Sequence, residues 1–241
     1  MNLYAYCLSD EMARAAGAGV GGAEVREFEC GGVWVLVSEF AGERVGVTRE
    51  NLLAHNRVVG DVLARTTPLP FRFGTLTSET RLRNYVETNR VSLLQSLGRV
   101  RGCVEMSVKI LWNAGEVRRA AEETARAASG AGVEGSGAAY LLAKRRALAE
   151  SEDLRVRAGE IASRLAETLG ETVREARVRV RPEEALVVRA AHLVERARLD
   201  DYRARVHAAR AKLREAEGRG EGLRFLTSGV WPPYSFTDVS A

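Results

Sequence analysis

The sequence lacks any long apolar stretch. Of its 241 residues 46% are hydrophobic and 28% charged, and no apolar run approaches the roughly 20 residues that a membrane-spanning helix needs. Residues 1–4 lack a basic region followed by an apolar core, so no signal peptide is expected. These features favour a globular protein with one large or two modest domains, and we expect a cytoplasmic location.

Residues that bind metals or form disulfides are also scarce. The three cysteines, Cys7, Cys30 and Cys103, are odd in number, far apart and placed in predicted strands, which favours small buried apolar side chains. The three histidines have no cysteine or second histidine at ligand spacing. We therefore expect no metal site.

Motifs of enzymatic chemistry are missing as well. There is no P-loop and no Gly-x-Ser-x-Gly elbow. Two Gly-x-G-x-x-G matches occur, but each follows a predicted helix, whereas a dinucleotide site needs the glycines after a strand. The matches are Gly17, Gly19, Gly22 and Gly130, Gly132, Gly135. We expect neither a cofactor nor an enzyme.

Lysine is rare, at three of the 36 basic residues, which leaves 33 arginines. Biased codon use is one explanation, and an arginine-rich interaction surface is the other, since arginine pairs well with carboxylates and aromatic rings. Basic residues alternate with acidic ones, so no clean nucleic-acid stripe is visible.

A short stretch near the end of the first third separates two helical patterns. Residues 68–75 read Pro-Leu-Pro-Phe-Arg-Phe-Gly-Thr, and the prolines and glycine exclude a helix. Leu69, Phe71 and Phe73 alternate with Arg72, which predicts a short strand. Such a strand is either a central element of the fold or a binding edge.

The rest of the first half predicts three strands and three helices. A strand at 3–8 places Leu3, Ala5 and Cys7 on one face and the alternate residues on the other. Strands at 25–30 and 33–38 form a hairpin at two glycines. Helices are predicted from Ser9 to residue 16, at 48–65 after a Thr48 cap, and at 78–97 after a Ser78 cap with Gly98 as its stop.

The second half follows a similar order. It contains a strand at 104–112, a helix at 116–128, a glycine-rich loop at 129–137 and a long helix at 138–169. Strands at 173–181 and 185–193, a helix at 200–217 and a strand at 223–227 follow. This order predicts an α+β protein with two ferredoxin-like, split βαβ domains at 1–99 and 100–228, and a tail at 229–241. The strand at 68–73 would be the fourth of the first domain.

Several surfaces are candidates for partner contact. The first sheet has an aromatic face that either the helix at 78–97 or the other domain covers, or that binds a partner. The second sheet has a polar face with Glu105, Lys109 and a row of arginines. The tail combines a double proline with three aromatics and either folds back or docks elsewhere. The candidates are Tyr4, Tyr6, Trp34, Phe71, Arg72, Phe73, Arg177, Arg179, Arg181, Trp231, Tyr234 and Phe236.

Specific motifs in this order resemble the gas vesicle protein GvpF/GvpL family. A helix led by His55 precedes Leu-Pro-x-Arg-Phe-Gly-Thr at 69–75, and a Gly-x-x-Glu-x-x-Val-Lys strand begins at Gly102. A Gly-x-x-Tyr-Leu segment begins at Gly137, and the family's Thr-Gly-Pro-Trp-Pro-Pro-Tyr-x-Phe ending matches residues 227–236. The chain departs from the family at Val230, which replaces a proline unless Ser228 is inserted, and at residues 191–194, where His192 replaces a tyrosine.

The resemblance covers nearly the whole chain. It implies a minor, non-enzymatic protein required for gas vesicle formation, which binds the hydrophobic shell protein GvpA and other accessory proteins, associates with gas vesicles and needs no cofactor. Self-association is compatible with it. No membrane or nucleic-acid partner is expected. The alternative is a nucleic-acid-binding module that uses Arg177, Arg179 and Arg181.

Overall fold

The computed structural model describes residues 2–13, 15, 17–112, 137–180, 186–216, 223–237 and 239. The chain divides into two compact units. Unit 1 comprises Met1–Met106, Leu193–Arg196 and Gly229–Ala241, and unit 2 comprises Ser107–His192 and Ala197–Ser228. The predicted helix at 116–128, residues 129–136 of the glycine-rich loop and Arg181 lie outside the described residues.

The first sheet is antiparallel and has β1 at its centre. Strands β1 (Asn2–Ser9), β2 (Val25–Cys30), β3 (Val33–Phe40) and β4 (Leu69–Pro70) follow the order β2-β3-β1-β4, and β5 (Leu76–Thr77) also pairs with β1. The predicted hairpin between β2 and β3 is confirmed. Gly31 and Gly32 form its turn with φ of 60° and 83°, a left-handed conformation that glycine adopts without a steric cost.

A β-bulge in β1 changes which side chains share a face. The pairing with β3 shifts between Ala5 and Cys7, so Tyr6 is the additional residue. Simple alternation predicted Cys7 on the face of Leu3 and Ala5. The bulge reverses the alternation after Tyr6, and Cys7 packs in one cluster with Tyr4 and Tyr6 instead.

Helix α1 (Arg49–Leu63) covers the aromatic face of this sheet. Its valines 58, 59 and 62 pack with Tyr4 and Tyr6, together with Val20 from the turn before β2. The sequence favoured the helix at 78–97 or the other domain for this role. That was wrong, because the apolar stripe of α1 is the one that meets the tyrosines. The predicted cap is confirmed, since the Thr48 hydroxyl accepts the Asn51 N–H at 3.2 Å.

The stretch at 68–77 lies beside β1 but is not one continuous strand. Leu69 pairs with Leu8, and the Phe71 N–H donates to the Tyr6 carbonyl at 2.9 Å. The chain then turns, with the Thr75 N–H donating to the Arg72 carbonyl and Gly74 at φ 86°. It returns to β1 as β5. An outer position suits Pro70, which has no N–H for a further strand.

The predicted helix at 78–97 is two helices, α2 (Glu79–Thr88) and α3 (Arg90–Val100). They separate at Asn89, where the backbone leaves helical geometry at φ −103° and ψ 11°, and both its N–H and its side-chain amide donate to the Tyr85 carbonyl. The Ser78 cap is confirmed by its bond from the Arg81 N–H. Gly98 lies inside α3, so the prediction that the helix ends there was wrong.

The predicted helix from Ser9 to residue 16 does not form in the described residues of that range. The Ser9 hydroxyl bonds both the N–H and the carbonyl of Glu11, which closes a tight local turn. The Asp10 carboxylate binds Arg101 and Thr66 rather than helical amides. The Asp10 side chain is therefore not available to cap a helix.

The second sheet has the order β7-β8-β6-β9. Its strands are β6 (Cys103–Trp112), β7 (Glu175–Val180), β8 (Leu186–Glu195) and β9 (Leu223–Trp231). The predicted long helix is α4 (Gly137–Leu169), and α5 (Leu199–Ala216) packs against it. The described residues form a mixed α/β fold with two antiparallel sheets.

Candidate protein-interaction site in unit 1

Three stretches that are far apart in sequence meet in unit 1. They are α1 at His55, the turn at 72–75, and residues 232–236, which we call the anchor segment. His55 is only 2% exposed. Its ring centroid lies 5.8 Å from that of Phe73 and 6.3 Å from that of Tyr234. His55 is therefore the point at which the turn and the anchor segment converge.

A chain of hydrogen bonds runs through the His55 ring. Its Nδ1 lies 2.8 Å from the Tyr4 hydroxyl, and its Nε2 lies 2.9 Å from the Tyr234 hydroxyl. The Gly74 N–H donates to the same Tyr4 oxygen at 3.1 Å. The tyrosine of the first strand, the helix, the turn and the anchor segment are thus linked by one set of bonds.

Burial assigns the direction of these bonds. Tyr4 is fully buried and its oxygen already accepts the Gly74 N–H, so the Tyr4 hydrogen needs an acceptor within the protein. We infer that Tyr4 donates to Nδ1 and that Nε2–H donates to Tyr234. Burial lowers the pKa of His55 to about 4 and raises the pKa of both tyrosines, so all three groups are neutral at pH 7.

Tyr6 fixes the turn before β2. Its hydroxyl accepts the Val20 N–H at 2.7 Å and shares a hydrogen bond of 2.9 Å with the Ser38 hydroxyl. A Cβ on Gly19 would lie 2.2 Å from the Tyr6 oxygen. Only glycine allows the chain to approach this hydroxyl so closely.

Glu105 on β6 holds the anchor segment from a second side. Its carboxylate accepts the Ser235 N–H at 2.7 Å and the Ser235 hydroxyl at 2.8 Å. Glu105 is 7% exposed, and the sequence placed it on an open polar face instead. That was wrong because Ser235, 130 residues further on, supplies the donors that a buried carboxylate needs.

The remaining anchor contacts are apolar and backbone ones. Phe236 is fully buried, and Arg99 on α3 donates to its carbonyl oxygen. A buried phenylalanine contributes about 3–5 kcal/mol relative to alanine. The anchor segment is therefore held by a buried aromatic ring, a carboxylate and a histidine at once.

The residues that carry the family resemblance are also the ones that make these contacts. His55, Gly74, Glu105 and Tyr234 come from three separate motifs, and the hydrogen bonds above join them. The motifs thus describe one structural cluster. Its chemistry is that of a buried, neutral network, which fixes backbone segments in place.

The predicted candidates differ in exposure. Fully buried side chains build the core of unit 1, namely Tyr4, Tyr6, Phe71 and Phe236. Partly buried are Trp34, Phe73 and Tyr234, and exposed are Arg72, Arg177, Arg179 and Trp231. Partner contact by the exposed ones stays a prediction.

Sequence reasoning missed three residues of the cluster. The alternation in β6 predicts the wrong face for Glu105. Nothing in the sequence marks Ser235, which lies between two aromatic residues. The glycine motif at Gly19 suggests only nucleotide binding. The Glu105 signal was present in the family motif. The residues around Gly19 in the sequence do not indicate its role, because the atom that excludes a side chain there is the hydroxyl of Tyr6 in β1.

The described residues offer neither a metal site nor a helix that could cross a membrane. No group of three or more His, Cys, Asp or Glu side chains there is arranged to hold a metal ion. None of the helices in the described ranges has the length and apolar content for crossing a bilayer.

Fold and cluster together define a two-unit mixed α/β protein whose buried polar groups fix its C-terminal segment. A family model described as "Gas vesicle synthesis protein GvpL/GvpF" matches residues 2–238. The chain belongs to this family, and thus to the proteins of gas vesicles. It is similar to "Gas vesicle protein L" of Streptomyces sp. (strain CB03234), with 29% identity over 197 residues that span 78% of this chain and 68% of that protein.

Two solved structures share the fold. The crystal structure of the gas vesicle protein GvpF from Anabaena sp. PCC7120 has a TM-score of 0.78 at 21% identity and covers 100% of this chain and 97% of that one. GvpF from Microcystis aeruginosa has a TM-score of 0.78 at 22% identity and covers 99% of both chains. At this identity the likeness concerns the fold alone.

Proposed function

We propose that the chain is a non-enzymatic assembly factor that binds the gas vesicle shell protein GvpA and other accessory gas vesicle proteins. The observation that carries this proposal is the family match over residues 2–238. A hydrophobic shell subunit needs an apolar or amphipathic acceptor before it polymerises. We also propose that both halves follow the ferredoxin-like strand order, which the orders β2-β3-β1-β4 and β7-β8-β6-β9 support, although the described residues between β1 and β2 form no α-helix.

The turn at 72–75 is the acceptor surface that the structure of unit 1 supports best. Arg72 is exposed and Phe73 partly exposed, while Gly74 and the ring of Phe73 are held against Tyr4 and His55. Side chains on a fixed backbone bind with a smaller loss of conformational freedom. The turn therefore presents a cation and an aromatic edge on a rigid base.

Co-purification tests this function. The chain is expressed with its shell protein and isolated through a tag on either one, under mild salt. We expect the two to co-purify, and Arg72→Ala to weaken their association while the chain stays folded. Arg81→Ala, an exposed arginine on α2 of the same unit, is the matched control. Clean separation of the two wild-type proteins would contradict the proposal.

A further inference from the structure

A cleft lies between α4 and the strands β7 and β8, and all of its described lining residues belong to unit 2. Its volume is about 210 Å³. Alanines at facing positions leave this space, where a closely packed interior would hold larger side chains. They are Ala162 and Ala166, one turn apart on α4, Ala176 on β7 and Ala190 on β8. We call this space the α4–β7 cleft.

The lining of the α4–β7 cleft is mostly apolar and carries little net charge. Leucines and valines such as Leu165 and Val188 form much of it. Its charged members among the described residues are Arg174 and Glu175, which have opposite signs. An ion that entered would lose its hydration without a net charge to compensate for the loss. The cleft therefore favours a neutral ligand.

One buried imidazole also lines the cleft. His192 is 2% exposed, and its Nδ1 lies 2.8 Å from the hydroxyl of Tyr202 on α5. Tyr202 is fully buried, so its hydroxyl hydrogen needs an acceptor within the protein, and we infer that it donates to Nδ1. Burial lowers the pKa of His192 to about 4. The ring is therefore neutral at pH 7, with its hydrogen on Nε2.

The Nε2–H of His192 borders the α4–β7 cleft. Within the described residues Nε2 has no hydrogen-bond partner, and the one fully enclosed side-chain polar atom there that lacks a partner is Thr77 Oγ1. Nε2 is therefore in contact with open space. Because His192 is buried and lines the cleft, that space is the cleft. A donor in such a position favours a ligand that supplies an acceptor.

The volume of the cleft indicates the size of the ligand. An apolar cavity of about 150 Å³ is large enough to bind benzene, so the larger α4–β7 cleft has room for a single ring with a short substituent. Sites for small molecules combine an apolar lining with a few polar groups that fix the orientation of the ligand. The lining and the single imidazole donor of this cleft have that composition.

We propose that the α4–β7 cleft binds a compact, neutral, mostly apolar small molecule that accepts one hydrogen bond from Nε2 of His192. The leucines, valines and alanines supply the apolar contacts, and the imidazole sets the orientation. This site is independent of the proposed assembly function.

A fluorine NMR titration of the full chain with 4-fluoroacetophenone at pH 7 tests the proposal. This ketone has one ring and one carbonyl acceptor. We expect saturable binding that Ala162→Leu abolishes, because the added side chain fills the cleft. Ala166→Leu, one turn along α4, is a second filling variant. Ser163→Leu, which adds the same side chain on the exposed surface outside the lining, is the matched control and should bind like the wild type.

A double variant tests the hydrogen bond to the ligand. His192→Leu with Tyr202→Phe removes both partners of the buried bond, so neither is left unpaired. The affinity for 4-fluoroacetophenone should fall about fivefold, which corresponds to the loss of one hydrogen bond. The affinity for 1-ethyl-4-fluorobenzene, which has no acceptor, should not fall. Circular dichroism of each variant excludes unfolding as the cause.

Three outcomes would overturn the inference: no saturable binding of the ketone to the wild type, undiminished binding in both filling variants, or an equal loss of affinity for both compounds in the double variant. A wild-type chain that fails to bind the ketone, but loses co-purification with the shell protein on Ala162→Leu, would assign the cleft to a side chain of a protein partner and would also overturn it. The ketone titration contains no shell protein, so its failure and the failure of the assembly function are separate results.

Discussion

Acidification from pH 7 to pH 5 should destabilise this protein through two buried histidines. His55 and His192 are each 2% exposed, and each ring is bonded to a tyrosine hydroxyl, His192 through Nδ1 to Tyr202 at 2.8 Å. Burial lowers the pKa of both to about 4. In the unfolded chain a histidine titrates near pH 6.5.

The direction and the size of the pH effect on the free energy of unfolding follow from the linkage between folding and proton binding. Because the folded pKa is below the unfolded one, the unfolded state binds more protons between pH 6.5 and pH 4. The stability that the neutral histidines contribute is therefore complete above about pH 6.5 and is lost as the pH falls towards 4. Between pH 7 and pH 5 the loss is about 2 kcal/mol for each histidine, a large part of a typical free energy of unfolding.

Two measurements test this prediction. The chain has three histidines, so an NMR titration of their rings contains few signals. Urea unfolding at a series of pH values gives the free energy of unfolding at each pH. His55→Gln should reduce the pH dependence of that free energy by the amount that one histidine contributes. A midpoint of either buried ring near pH 6.5, or a pH dependence unchanged by His55→Gln, would refute the reasoning.

Three substitutions in unit 1 test the cluster by urea unfolding. Phe236→Ala should cost about 3–5 kcal/mol, and the partly exposed Phe73→Ala distinctly less; equal costs would contradict the buried position of the anchor segment. Glu105→Gln should cost about 1–3 kcal/mol, because the bonds from Ser235 lose their charged acceptor; an unchanged free energy of unfolding would count against that contact. Gly19→Ala should cost about 1–3 kcal/mol through the clash with Tyr6. Gly60→Ala in α1, where a Cβ meets nothing within 4 Å, is its control and should not destabilise.

Local chemistry was sufficient to predict many elements. The glycine pair of the β2–β3 hairpin and the hydroxyl caps of α1 and α2 act within four residues, so their sequence signals are complete. The long helix α4 was predicted within one residue of its observed bounds, because its apolar stripe repeats at helical spacing over several turns.

Features that depend on distant contacts were not predictable in this way. The bulge at Tyr6 changes which residues of β1 share a face. The alternation of apolar residues in the sequence does not indicate where such a bulge occurs. Glu105 can be buried because Ser235, 130 residues later, donates two hydrogen bonds to its carboxylate.

The candidate site shows the same contrast between local signals and distant contacts. The motif resemblance identified His55, Glu105 and Tyr234, but it did not indicate that they lie together. Their contacts span 51 to 179 residues of sequence. Only the folded chain shows that the motifs form one cluster and that the exposed Arg72 lies at its margin.

Vesicle formation in a host whose gene cluster lacks this chain tests the central claim most directly. We predict that cells without the chain form no gas vesicles, as seen by electron microscopy and buoyancy. The wild-type chain and Arg81→Ala should restore them, and Arg72→Ala, although folded, should not. Normal vesicles in the absence of the chain would contradict the proposed role as an assembly factor.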